Sequence, residues 1–186
     1  MFADISNPTV SVFAPVVVAV IVVDLVILFL IRFFPDFWGK DINVWYNEFG
    51  TNAVIADVLS IVLGFLIAQV IYRFSVFPHI GWSLPVFIVL LLAIQLTHDM
   101  LFYKGVIQPI PAGHNGMIDV FKAYAASGQG RILVADAAMM TGSALIASAL
   151  VGLPTVVTLF VGSLAVYAIP YILTTRNRYS PANSTK

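Results

Sequence analysis

Residues 46–72 read YNEFGTNAVIADVLSIVLGFLIAQVIY. A short aromatic run leads to a glycine, and the glycine to an apolar stretch with one carboxylate, Asp57, close to its start. About 20 consecutive apolar residues are what an α-helix needs to cross the hydrocarbon core of a bilayer. A charge inside such a helix costs about 2.5–3.5 kcal/mol on insertion scales, so the acid belongs against other helices or water. Residues 124–150, YAASGQGRILVADAAMMTGSALIASAL, follow the same plan, with Asp136 again preceded by alanine. These two stretches predict an all-α membrane protein built around two intramembrane acids.

Composition agrees. The 186 residues are 60% hydrophobic and 10% charged, with mean hydropathy +0.98. Soluble domains carry about 25% charged residues, so a chain this apolar suits lipid better than water. The net charge is zero and there is no basic tract, which excludes nucleic acid as a partner. There is no cysteine, so disulfides and thiolate chemistry are excluded.

Five spans are expected, at residues 13–34, 52–72, 83–103, 132–151 and 155–173. The first lacks a basic flank and is too long for a signal sequence, so it reads as a retained span. Residues 37–49 and 116–127 read as two amphipathic helices lying at the membrane interface, where aromatic rings sit at headgroup depth. Asn115 is placed to cap the second of them. The polar tail, 177–186, reads as disordered.

Of the nine basic residues only Arg73 falls on the side opposite the C-terminus. By the positive-inside rule, the C-terminus and both interfacial helices are expected in the cytoplasm and the N-terminus outside. Aligning Asp57 with Asp136 sets Gly64 against Ser143 and Ala68 against Ala147. The chain then reads as one span followed by two parallel repeats, at 37–103 and 116–173, each an interfacial helix and two spans. The small residues lie seven and eleven positions after each acid, on the same face, where backbones can approach.

The candidate site is a polar pocket made of Asp24, Asp57, His98, Asp99 and Asp136, with His114 and Asn115 in the loop on the same side. Four roles fit it. The acids can bind a hard cation through carboxylate oxygens, relay protons or couple ion transport, act on a lipid headgroup as acid and base, or tie helices together by pairing with Arg131, Lys104 or tyrosine hydroxyls. No metal-ligand spacing such as H-E-x-x-H occurs. His98 and Asp99, as neighbours on a helix, do not share one face. No cofactor is identified.

The run HDMLFYKGVIQPIPAGHNGMIDVFKAYA at residues 98–125, taken with Asp57 and Asp136, resembles uncharacterised multi-span membrane proteins of large DNA viruses that infect algae and protists. The resemblance implies a place, a virion internal membrane or a host membrane, and viral membrane or capsid proteins as partners beside the bilayer. It implies no activity. Three functions are therefore expected in this order: a structural or membrane-assembly role, a small ion- or proton-coupled transporter working as a homo-oligomer, and a lipid-modifying enzyme.

Overall fold

A computed structural model describes residues 2–38 and 40–180, apart from the side chains of Asp41, Tyr124 and residues 127–132. Arg131, expected above as a counter-ion, and residues 181–186 lie outside the described part. The described chain is all-α, with five helices long and apolar enough to cross a membrane. These are α1 (Val10–Phe33), α4 (Thr51–Ile71, continued to Ile80), α6 (Leu84–Phe102, continued to Ile107), the later part of α7 (Gly116–Val151) and α8 (Thr155–Leu173). Two shorter helices, α2 (Pro35–Trp38) and α3 (Lys40–Phe49), occupy the first predicted interfacial segment, and α5 (Phe77–Ile80) closes the second span.

Local chemistry sets the boundaries. Gly50 has φ +52 and ψ −123, a conformation closed to residues with a Cβ, and it turns the chain from α3 into α4. The second and third spans end in π-helical turns, Tyr72–Val76 and Tyr103–Ile107, each finishing two residues before a proline, Pro78 and Pro109. A proline ring cannot sit over the carbonyl four residues back, and a widened turn relieves that clash. The second span therefore runs past the expected end at Tyr72, and His79 sits exposed in α5.

The second interfacial helix is not separate from its span. Asn115 caps the start of α7, its side chain accepting from the backbone N–H of Met117 and Ile118. The helix then continues for 36 residues through Gly128 and Gly130, where a break was expected. A glycine in a helix costs about 1 kcal/mol against alanine. That is less than the cost of opening backbone hydrogen bonds next to lipid.

Helices α1, α4, α6 and α7 pack in a ring, each against the next, with α4 facing α7 across the centre. α8 lies outside this ring against α1 and meets α7 only slightly. The halves read as a repeat are thus packed differently: α4 pairs closely with α6, whereas α7 hardly pairs with α8. The small residues still fulfil their part, for Gly64, Ala68, Ser143 and Ala147 are all buried.

α8 seats on α1 through Gly162. A Cβ built there would lie 2.8 Å from Val18 Cγ2, inside any real contact distance. Val18 is β-branched and stiff, so Gly162→Val must push α8 away. The expected loss is about 2 kcal/mol, the usual cost of overpacking. Unfolding titrations in detergent micelles will show it, and an unchanged midpoint would mean that α8 is not seated this way.

Residues 177–180, the described part of the tail read as disordered, pack against the helices. Asn177 and Ser180 are buried, Asn177 Nδ2 donates to Asn43 Oδ1 at 2.7 Å, and Asn47 Nδ2 donates to the Tyr179 carbonyl at 2.9 Å. Arg178 pairs with Asp36. The tail clasps α2 and α3 at the end of the ring that carries the C-terminus.

Candidate functional site

At that end the ring encloses a cavity of ≈500 Å³. Asp57 from α4, Asp99 from α6 and Asp136 from α7 line it together with Ser60 and Gln95. Three of the five predicted pocket residues therefore converge. The rest of the wall is apolar and aromatic, with Trp38, Trp45, Tyr46, Tyr103 and Phe121 among its members. Trp45 packs on Phe121 at 4.6 Å between ring centroids, which joins α3 to the first half of α7 and closes the side of the cavity.

Asp57 and Asp99 are each held on one oxygen and left open on the other, and Asp136 is held on neither by any described residue. Asp57 Oδ2 accepts from Tyr46 Oη at 2.8 Å and Trp45 Nε1 at 3.1 Å, and among the described residues nothing bonds Oδ1. Asp99 Oδ1 accepts from Gln95 Nε2, one turn earlier on α6, at 2.8 Å, and lies 3.2 Å from His98 Nδ1. Its Oδ2 has no partner. No described residue hydrogen-bonds Asp136. Oxygens left without partners at a cavity are free for a ligand, because a buried polar atom otherwise costs about 1–3 kcal/mol.

The other predicted residues stand apart. Asp24 is fully buried and does not line the cavity. It touches the site through Tyr46, whose hydroxyl lies 3.5 Å from Asp24 Oδ1. His98 stays off the wall, its ring stacked on Phe102 at 5.7 Å. Neighbours on a helix diverge by about 100°, so His98 reaches Asp99 while pointing away from the centre. His114 is exposed in the loop before α7, and Asn115 is spent on the cap. That loop is tied down by Asp119, which accepts from Gly113 N at 3.0 Å, and by Lys122, which donates to the Ile110 carbonyl.

Sequence reasoning missed the holders. Trp45 and Tyr46 read as interfacial rings, yet their polar tips bind Asp57. The available signal was their position, twelve and eleven residues before an acid across a glycine turn. Gln95 was four residues before Asp99, a helical neighbour.

The cavity ends inside the ring. Gly64 faces the tip of Met140, and Gln95 closes the third side: a Cβ at Gly64 would lie 3.0 Å from Met140 Cε and 3.9 Å from Gln95 Oε1. Beyond it, Phe65, Phe87 and Leu91 are fully buried. Among the described residues no three His, Asp or Glu side chains sit close enough to hold one metal ion. Three carboxylates around an apolar chamber, none ligating in common, can instead surround a larger cation that brings its own hydrogen-bond donors or its own greasy surface.

No family model, no curated protein and no solved structure matches this chain.

Proposed function

We propose that the chain is a small membrane carrier that takes a cation into the cavity from the side of its C-terminus, which the distribution of basic residues assigns to the cytoplasm. The observation that carries the reading is the set of three carboxylates, each with an oxygen that no described residue bonds, around one chamber inside a helix ring. Intramembrane acids cost insertion energy and mark ion or substrate paths. The aromatic wall adds ring faces that attract ammonium groups. The volume and the apolar lining favour an organic ammonium over a bare metal ion, whose ligation requires oxygens at about 2.3–2.6 Å from a common centre.

The test is binding followed by uptake. Purified protein should bind a short-chain alkylammonium in nanodiscs, and proteoliposomes should accumulate it. Asp136→Asn should weaken binding roughly tenfold or more, the scale of one hydrogen bond to a charged group. The carrier reading is wrong if neither the alkylammonium nor any alkali cation binds the wild type.

A second reading, a structural or assembly role in a viral membrane, is favoured by the interlocked C-terminal face. There α3 and the start of α7 are locked by Trp45 and Phe121 and clasped by the tail. Such a face suits a docking platform for a coat or a second copy of the chain. It predicts protein retained in purified particles and no flux under any gradient.

A further inference from the structure

The end of the ring opposite the cavity is covered by the first residues of the chain. Ile5 and Ser6 are fully buried although they belong to no helix. Three elements hold this strap by its backbone carbonyls. Gln69 Nε2 of α4 donates to the Ile5 carbonyl at 2.9 Å. Ser148 Oγ of α7 donates to the Ala3 carbonyl at 2.6 Å. Trp82 Nε1, just before α6, donates to the Phe2 carbonyl at 3.2 Å. Asp4 folds back on the strap, accepting from Ser6 N at 2.8 Å and Ser6 Oγ at 2.7 Å.

The wall between strap and cavity is thin. On α7 the cavity ends at Met140 and the strap is bound at Ser148, a separation of roughly 12 Å along the helix. On α4 the last lining residue is Ile61, and the interval from it to Gln69 is again roughly 12 Å. The α7 side of this wall is made of small residues, Ser143, Ala144 and Ala147, all fully buried. Two polar atoms inside it, Ser143 Oγ and Gln69 Oε1, have no hydrogen-bond partner among the described residues. A dry wall gains nothing from such atoms, since each carries its desolvation cost. Water reaching them would remove that cost.

We propose that residues 2–9 are a plug that closes the far end of the ring, and that its withdrawal joins the carboxylate cavity to the face carrying the N-terminus. The plug is attached by side chain to backbone bonds from Gln69, Ser148 and Trp82 and by the side chain of Ile5, which is buried in the core. It supplies the second opening that a one-ended cavity lacks. The closed plug and the open cavity together describe one state of an alternating-access cycle.

The absence of cysteine makes the test direct. Ser143→Cys places a thiol behind the plug, and a membrane-impermeant maleimide is added to proteoliposomes on the face carrying the N-terminus. With the tethers intact the thiol should stay unlabelled over background. Adding Gln69→Leu and Ser148→Ala should raise the labelling rate roughly 30-fold, the combined effect of two hydrogen bonds of ordinary net strength. Ala19→Cys, a fully buried site on α1, should remain silent in the same tether variant. The plug is overturned if Ser143→Cys stays silent when the tethers are removed, or if Ala19→Cys is labelled equally fast. Alkylammonium binding measured on the same variants reports on the cavity separately, so loss of one reading leaves the other standing.

Discussion

Arg32→Ala should lower stability by about 3 kcal/mol and weaken cation binding at a cavity that Arg32 does not line. Arg32 closes α1 and is 4% exposed. One guanidinium nitrogen donates to Asn47 Oδ1, and another to the Tyr46 carbonyl at 3.4 Å. Hydrogen bonds to charged groups contribute about 1.5–3 kcal/mol each, and the second of these is long, so the sum stays near the lower end. Alanine leaves a void and removes the donor of Asn47 Oδ1, while the Tyr46 carbonyl keeps its bond from Gly50 N at 3.2 Å. Lysine should recover little, because a point charge on a flexible stem does not reproduce a planar fork reaching two acceptors. The effect on binding follows from the next link. Arg32 fixes the backbone of Tyr46, and the Tyr46 hydroxyl fixes Asp57 at 2.8 Å. Unfolding titrations of Arg32→Ala, Arg32→Lys and the exposed control Arg176→Ala will separate the cases, the control changing by less than about 0.5 kcal/mol. Equal, small losses in all three would show that Arg32 serves only as a surface charge.

The same residue shows what was legible in the sequence. Arg32 counted among the basic residues on the C-terminal side, and hydropathy with that count was enough to find five spans. Span number depends on local composition, which a window of residues reports. The convergence of Asp57, Asp99 and Asp136 was also legible, because intramembrane acids must turn from lipid and these three share one depth. Asp24 lies close to Asp57 in depth, one tyrosine hydroxyl reaching both, yet it does not line the cavity, and its contact runs through a tyrosine on another helix. Nothing in a single helix announces that. The strap was invisible for a related reason. Its bonds are made by its carbonyls, which every residue carries, and its partners lie up to 145 positions away. The tail was read as disordered from its polarity, yet polar Asn177 is what pairs with Asn43. The repeat was drawn from the aligned acids Asp57 and Asp136, each after an aromatic segment, with small residues falling into register behind them. The small residues report that a face is packed but not which helix packs on it, and α8 chose α1.

Tyr72→Ala should be among the most damaging single substitutions in the chain, at about 3 kcal/mol, the low end for aromatic truncation in a packed interior. Tyr72 is fully buried where α4 passes into the π-helical turn. Its ring meets Phe87 at 5.4 Å and Trp82 at 5.7 Å. Its hydroxyl accepts from Ser83 N at 2.8 Å and donates to the Gly81 carbonyl at 3.0 Å. One side chain thus fixes the turn from α5 into α6, including Gly81 at φ +67. In lipid the unfolded helices stay out of water, so no hydrophobic transfer is lost; dispersion contacts and hydrogen bonds are. Tyr72→Phe isolates the second part. It keeps the ring and strands the Ser83 N–H, at about 1–3 kcal/mol. The turn also carries Trp82, the third tether of the N-terminal strap. Tyr72→Ala should therefore raise labelling of Ser143→Cys from the N-terminal face, whereas Gly162→Val, which disturbs α8 outside the ring, should not. A rise with both substitutions would mean that labelling follows general loosening of the bundle. A rise with Tyr72→Ala alone ties the plug to the turn that holds it.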